Sequence, residues 1–99
     1  MADPPPVTWH LYLIRCADGS LYTGITTDVE RRLRDHRSHR GAKYLRGRGP
    51  LELVYSRPVG QRGLALRLEH RIKALGREAK GRLLESPGAV EALLRQLET

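Results

Sequence analysis

The pattern of apolar and polar residues predicts three strands, two of them joined in a hairpin. Trp9–Cys16 is rich in aromatic and branched residues, as strands are, and Ser20–Gly24 is a second short strand. Asp18-Gly19 between them is a strong tight-turn signal. A third strand is predicted over Leu51–Ser56 and ends near Pro58.

Helical periodicity accounts for most of the remaining chain. Thr27-Asp28-Val29-Glu30 has the form of a capping box, which opens a helix to about His39. A second helix is predicted from about Gln61 to Leu75, closed by Gly76, and a short one over Glu78–Leu84. A last helix is expected to start at Ser86-Pro87. The apolar stripes of the second and last helices are Leu64, Leu68, Ile72 and Leu75, and then Val90, Leu93, Leu94 and Leu97.

This order of elements predicts an α+β fold. In the order β-β-α-β-α-α, helices flank a small three-stranded antiparallel sheet. With 99 residues the chain has room for one domain, expected over 8–99, after a flexible proline-rich leader over 1–7. No apolar run approaches the roughly 20 residues of a membrane helix. The lone Cys16 cannot form an internal disulfide, so a cytoplasmic protein is expected.

The charge adds a hypothesis about the partner. The net charge is +7, with 18 Lys and Arg against 11 Asp and Glu. The basic residues concentrate in one stretch of the chain, where Asp35 is the only acidic residue, as expected of a polyanion-binding surface. The alternative is a solvated face of an arginine-rich protein. The residues expected to contact nucleic acid are Arg31, Arg34, Arg37, Arg40, Lys43, Arg46 and Arg48.

Several polar residues stand where packing alone does not require them. Tyr12 and Tyr22 lie in the two hairpin strands at an even separation, which places them on one face, subject to register. On the first helix, 100° per residue places Arg32 and His36 on one ridge beside the buried stripe. An arginine and a histidine at the border between sheet and helix favour an anion site. For the tyrosines, structural packing is the alternative.

Glu69 is harder to interpret from spacing. It lies on the flank of its helix, where a carboxylate can hold a metal ion at the edge of a cleft. It also stands four residues before Lys73, and an i,i+4 surface pair is the simpler interpretation. His36 and His39 stand three apart, but nothing in the sequence completes a metal site with them. Zinc-ligand spacing, a P-loop and a Gly-x-Ser-x-Gly elbow are absent.

Taken together, these residues resemble the pattern of the GIY-YIG endonuclease superfamily over roughly 9–84. His10-Leu11-Tyr12 followed by Tyr22-Thr23-Gly24 is similar to the paired tyrosine motifs, including the motif glycine, Gly24. Arg32, His36 and Glu69 follow in the family's order. The likeness is strongest to the small stand-alone bacterial members, which are related to the nuclease domain of the excinuclease C subunit.

The resemblance implies a catalytic centre of Tyr12, Tyr22, Arg32, His36 and Glu69. In that family Glu69 would hold a single Mg²⁺ or Mn²⁺ ion and Arg32 would neutralise charge on the phosphate. A tyrosine would take a proton from water, with Tyr12 preferred as base and Tyr22 as its partner, in an order that the sequence does not decide. Because an unperturbed tyrosine titrates near 10, a nearby cation is expected to lower the pKa of this tyrosine, and Arg32 and the metal ion are the candidates. His36 would contact phosphate or assist proton transfer.

Two departures from the family pattern bear on the rate. Some relatives carry a lysine three residues after the second tyrosine, where this chain has Ile25. Many also carry an asparagine after the glutamate, and this chain contains no Asn.

Three functions are therefore carried forward. The first is a metal-dependent DNA endonuclease, which could select structured or damaged DNA in repair or recombination. The second is a nucleic-acid-binding module of the same fold without useful catalysis. The third is an adaptor whose basic loop binds an acidic protein, and a steep salt dependence of DNA binding would argue against it. A protein partner that supplies targeting is compatible with the first, and the oligomeric state is open.

Overall fold

A computed structural model describes residues 7–98 of the chain. Its strands are β1 (Trp9–Arg15), β2 (Leu21–Thr26) and β3 (Glu52–Gly60). Its helices are α1 (Val29–Arg37), α2 (Arg62–Lys73), α3 (Arg77–Glu85) and α4 (Ala89–Glu98), and a short 3-10 turn spans Lys43–Leu45. The strands form one antiparallel sheet in the order β2-β1-β3. The predicted α+β class and three-stranded antiparallel sheet are confirmed.

The central strand β1 separates two apolar clusters, because alternate side chains of a strand point to opposite faces. Leu11 and Leu13 face one side and are fully buried against α2 and α4. This scaffold cluster is completed by Leu68, Ile72, Val90 and Leu94. Each buried leucine or isoleucine contributes about 1.5–3 kcal/mol by leaving water, so these two helices anchor the sheet.

The opposite face of β1 carries the second cluster, called here the hairpin cluster. Tyr12, Ile14 and Cys16 point to this side. They pack against Val29 and Leu33 of α1 and against residues of the basic loop, defined here as residues 38–51. The loop contributes Ala42, Leu45 and Leu51. The smaller of the two packed layers thus carries the candidate tyrosine and histidine side chains.

The ends of the helices differ from the predicted ones. The N-cap of α1 is Asp28, whose side chain accepts from the Arg31 N–H at 3.1 Å, and not Thr27. An aspartate one residue further on competes for the same N–H groups, and the capping-box interpretation was wrong by that residue. Gly76 is the N-cap of α3 and not the end of α2, which terminates at Ala74.

The C-terminal third contains one full helix more than the β-β-α-β-α-α order counts. The indicated short helix over 78–84 is present as α3, over Arg77–Glu85. Ser86 ends α3 and does not cap α4, which begins only at Ala89, after Gly88 adopts a positive φ of 81°. A turn closed by the Ala89 N–H and the Ser86 carbonyl therefore occupies the predicted cap.

The third strand runs past Pro58, where the sequence predicted its end. Proline lacks the N–H that a central strand needs, but β3 lies at the edge of the sheet and has only β1 as a neighbour. Of the predicted leader 1–7, residues 1–6 lie outside the described residues, and Val7 is exposed. Among the helices of residues 7–98, none is long and apolar enough to cross a membrane.

Candidate active site on the hairpin face

The register of the hairpin brings Tyr12 and Tyr22 to the same face of the sheet. Tyr12 lies opposite Gly24, and Tyr22 lies opposite Ile14, two residues along β1 from Tyr12. Directly opposed residues share a face, and so do residues two apart in a strand. The ring centres are 6.3 Å apart with the planes tilted by 43°. The placement expected from the even spacing is confirmed.

Gly24 is required by the close approach of the Tyr12 ring. A Cβ built on Gly24 would overlap the Cζ and hydroxyl oxygen of Tyr12. Gly24 is therefore needed because, without a Cβ, it leaves room for the Tyr12 phenol to pack over β2. A larger residue would push the hydroxyl away from its position on the hairpin face.

Helix α1 delivers Arg32 and His36 to the tyrosines. His36 is 2% exposed and Arg32 is half-buried, whereas Arg31 and Arg34 are exposed. The helical angles predicted this division, because Arg32 and His36 border the apolar stripe that packs on the sheet. The ring centre of His36 lies 5.8 Å from that of Tyr12 and 5.6 Å from that of Tyr22. The four side chains thus converge.

Hydrogen bonds at both ring nitrogens define the protonation state of His36. The Ala42 N–H donates to Nδ1 at 3.2 Å, so Nδ1 carries no proton. Nε2 lies 2.8 Å from the Tyr12 hydroxyl oxygen. Burial first, and then the charge of Arg32, lower the pKa of His36, which favours the neutral ring. Since a neutral imidazole keeps one N–H, Nε2 carries it and donates to Tyr12.

A second glycine makes room for this histidine. A Cβ on Gly41 would overlap Nδ1 of His36. The glycine lies in the basic loop directly before Ala42, whose N–H reaches the same nitrogen. The loop backbone therefore fixes the imidazole from behind while Tyr12 meets it in front. This contact could not be predicted from the sequence, because it depends on how the loop folds back onto α1.

The protein groups around Tyr12 raise its pKa, and Arg32 by itself does not produce the expected lowering. Burial raises it from 10.0 to about 12, and the neighbouring Tyr22 adds to the rise. Arg32 lowers it through a hydrogen bond and its charge, while the negative charge of Glu69 raises it again. The expected cation is present, but desolvation of a phenol that is 2% exposed outweighs it.

Glu69 faces the tyrosines and also pairs with Lys73. Its carboxylate acts on the pKa of Tyr12, and its Oε2 lies 3.4 Å from the Lys73 ammonium. Lys73 Nζ in turn lies 5.9 Å from the centre of the Tyr22 ring. The ion pair with Lys73 is therefore present, and the metal site at Glu69 stays a prediction. Lys73 entered the sequence analysis only as a surface partner, and the structure places it at the site.

The flank of α2 with Glu69 and Lys73 belongs to a helix packed on the other side of the sheet. Leu68 and Ile72 of α2 contact the scaffold cluster, opposite the Tyr12 face. Because side chains cannot pass through a sheet, the two charged residues reach the tyrosines beside β2, which is an edge strand. The site is consequently assembled from both layers of the protein.

The residues predicted to contact nucleic acid divide into two groups. One group is exposed and comprises Arg31, Arg34, Arg40, Lys43 and Arg46. The other two make internal contacts. Arg37 donates to the Leu51 carbonyl at 3.1 Å, and Arg48 pairs with Asp18 at 2.9 Å. These two arginines hold the basic loop in place, although Arg37 is itself exposed, and the charge pattern could not indicate these contacts.

Tyr44 is a further member of the site that the sequence analysis missed. Its ring stacks on Tyr22 with centres 6.0 Å apart and planes 23° apart, and it is 45% exposed. The guanidinium of Arg48 lies 4.2 Å from the Tyr44 ring centre. Tyr44 thus extends the aromatic surface from the buried Tyr12 out to solvent. An aromatic residue inside a basic, glycine-rich loop was the available signal.

The donor set fits a magnesium-type site with a single protein carboxylate. Residues 7–98 contain no group of three or more His, Cys, Asp and Glu side chains that could enclose a metal ion. Mg²⁺ keeps several waters and is commonly held by one or two carboxylates together with substrate phosphate. Glu69 is the carboxylate beside the tyrosines, and its side chain is 17% exposed. The residues present therefore suit an ion that shares its shell with a substrate.

Comparisons with known proteins agree with this geometry. The family model described as the GIY-YIG catalytic domain matches residues 8–82. A UPF0213 protein of Enterobacter sp. strain 638 is 55% identical over 93 residues, which cover 94% of this chain and 91% of the relative. The UPF0213 protein YhbQ of Escherichia coli strain K12 / DH10B is 57% identical over 91 residues, with coverage of 92% and 91%.

Two solved solution structures share the fold. The UPF0213 protein BH0048 from Bacillus halodurans has a TM-score of 0.53 and 41% identity, with coverage of 85% of this chain and 93% of that one. The protein EF2693 from E. faecalis has a TM-score of 0.57 and 34% identity, with coverage of 86% and 88%.

Proposed function

Because this chain belongs to the GIY-YIG family, whose domain implies a nuclease that binds nucleic acid, we propose that it is a metal-dependent DNA endonuclease. The reaction is hydrolysis of a phosphodiester bond. We further propose that it nicks structured or damaged DNA in repair or recombination.

The observation that carries this proposal is the convergence of five side chains of different chemistry. Two phenols, a neutral imidazole, a guanidinium and a carboxylate meet where α1, α2 and the hairpin come together. Packing alone would place apolar residues here, because a buried polar group is costly unless it is hydrogen-bonded. An arginine next to two tyrosines provides the positive charge that a phosphate requires.

Each residue has a proposed role. Arg32 neutralises charge that develops on the phosphoryl oxygens, an electrostatic effect that is strong away from bulk water. Tyr12, in its phenolate form, takes the proton of the attacking water and becomes a neutral phenol, and the His36 N–H stabilises the phenolate before this transfer by its hydrogen bond. Tyr22 positions the water. These three functions need fixed geometry, which Gly24 and Gly41 permit.

Glu69 is proposed to hold Mg²⁺ or Mn²⁺. When bound there, the ion would polarise the scissile phosphate and add the positive charge that a buried Tyr12 with a raised pKa needs for ionisation. Lys73 balances the Glu69 carboxylate when the ion is absent.

A nucleic-acid-binding module without useful catalysis is the second candidate. It is favoured by Ile25 and by the lack of any Asn, since some relatives carry a lysine at the first position and many carry an asparagine after the glutamate. Exposed arginines and lysines on α1 and the basic loop would suffice for such binding.

Plasmid nicking distinguishes these two functions. Supercoiled DNA is incubated with the wild type in Mg²⁺, in Mn²⁺ and in EDTA, next to Glu69→Gln and the control Glu78→Gln. Glu78 is an exposed carboxylate of α3. Metal-dependent nicking that is lost only in Glu69→Gln supports the endonuclease. Binding without nicking in any metal supports the module, and equal nicking by both variants rules out the role of Glu69.

A further inference from the structure

A basic pocket lies next to the candidate active site, beyond Tyr44. It is bounded by the β1–β2 turn, by the basic loop and by α3. Its lining residues are Asp18, Ser20, Leu21, Tyr44, Arg77 and Lys80. Neither Arg77 nor Lys80 belongs to the basic stretch over 31–48.

The acidic group of this pocket is already neutralised. The Asp18 carboxylate pairs with Arg48 at 2.9 Å and accepts from the Ser20 hydroxyl at 2.6 Å and the Ser20 N–H at 3.0 Å. These bonds, those from Ser20 above all, lower the pKa of Asp18. Asp18 is thus ionised and engaged by the turn and the loop. Its charge acts more strongly on Arg48 than on Arg77, one of the two cations that α3 contributes to the pocket.

Those cations are Arg77 and Lys80. Arg77 donates from Nη2 to the carbonyl oxygen of Asp18 at 2.9 Å, which turns its guanidinium toward the hairpin. Lys80 is half-buried, and within residues 7–98 no carboxylate lies within ion-pair distance of it. A bound anion would supply the counter-charge that no carboxylate provides for this ammonium.

The position of the pocket indicates which anion. Tyr44 forms one of its walls and stacks on Tyr22, so the pocket is one aromatic ring away from the candidate active site. Single-stranded and duplex DNA both present phosphates at short intervals along each strand, about one per 3.4 Å of helix axis. We propose that Arg77 and Lys80 bind a backbone phosphate of the DNA strand that flanks the cleaved phosphate.

This inference rests on the proposed function, and it gives the pocket a definite task. A flanking phosphate fixes the register of the strand and carries no information on base sequence. Tyr44, held between Tyr22 and Arg48, separates the flanking phosphate from the one that reacts. The scissile bond is then selected by backbone geometry.

The experiment measures DNA affinity against salt in EDTA, where cleavage does not interfere. The full chain, Lys80→Ala and the control Arg95→Ala bind a labelled duplex at several salt concentrations. Arg95 is an exposed cation on α4, which packs with the scaffold cluster. Loss of one phosphate contact lowers the slope of log K against log salt by about 0.9. We expect this decrease, with several-fold weaker binding, for Lys80→Ala and not for Arg95→Ala.

Each outcome has a separate consequence. Equal slopes for Lys80→Ala and Arg95→Ala overturn the proposal that this pocket binds phosphate, even if the wild type nicks plasmid DNA. A lower slope for Lys80→Ala in a protein that never nicks keeps the phosphate site and removes the endonuclease. Lys80→Arg is the conservative variant, and it should restore the wild-type slope. If it does not, a charge at this position is not what binds the DNA.

Discussion

The hydrogen bond between Tyr12 and His36 can be tested by removing one oxygen. In Tyr12→Phe the ring that packs over Gly24 remains, but the Nε2–H of His36 loses its acceptor at 2.8 Å. His36 is 2% exposed, so water does not readily replace the phenol. A buried donor left without a partner costs about 1–3 kcal/mol. In a domain of this size, each kcal/mol shifts Tm by about 4–8 °C.

The assay combines urea and thermal unfolding with plasmid nicking well below the lower Tm. Tyr44→Phe is the matched control, because it deletes a hydroxyl from a tyrosine that is 45% exposed and keeps the stack on Tyr22. We expect Tyr44→Phe to change the free energy of unfolding by less than about 0.5 kcal/mol. Tyr12→Phe should lose stability and nicking together.

Alkaline pH gives the same hydroxyl a second signature. The pKa of Tyr12 is raised from 10.0 to about 12 in the folded state, so the unfolded chain releases the proton first. The stabilisation is complete below pH 10 and is lost as the pH rises toward about 12. Tyr12→Phe should lack this loss. A variant as stable as the wild type at neutral pH, with an unchanged alkaline profile, would refute the reasoning.

Three further changes test neighbouring features. Gly24→Ala should destabilise the protein by about 1–3 kcal/mol, because the new Cβ overlaps the Tyr12 phenol. The control is Gly81→Ala in α3, where no atom lies within 4 Å of the new Cβ, and it should stabilise the protein by about 0.5–1 kcal/mol. Equal effects of the two substitutions in urea unfolding would contradict the packing described. The lowered pKa of His36 predicts that stability is full above about pH 6.5 and falls at lower pH, where the unfolded chain binds the proton more readily; a pH profile of Tm that stays flat down to pH 4 would show that the ring is not held neutral. Lys73→Met removes the ammonium 3.4 Å from Glu69 and should tighten Mn²⁺ binding several-fold by calorimetry; unchanged affinity would place the ion elsewhere.

Local geometry explains which parts of the site could be predicted. An even number of residues across a tight hairpin places Tyr12 and Tyr22 on the same face of the sheet. A rotation of 100° per residue places Arg32 and His36 on the same side of α1. Both depend on residues close in the chain. Glu69 depends on how α2 crosses the sheet, so its spacing favoured the ion pair with Lys73 over a metal site.

The remaining features depend on contacts between distant segments. The stack of Tyr44 on Tyr22 and the bond from Ala42 to His36 form only after the basic loop folds back. Arg32 alone does not lower the pKa of Tyr12 below its ordinary value, because burial outweighs its charge, and the degree of burial could not be predicted from the sequence. Two helix ends were also predicted at the wrong residue. Asp28, and not its neighbour Thr27, caps α1, and Gly76 begins α3 and does not end α2.

Assembly from both layers has a consequence for the newly made chain. The phenols are mounted on the hairpin cluster, while the carboxylate arrives with a helix anchored in the scaffold cluster. A half-folded molecule with only one layer docked holds only part of the machinery. The phenols, imidazole, guanidinium and carboxylate of the candidate site therefore come together only once both layers have packed.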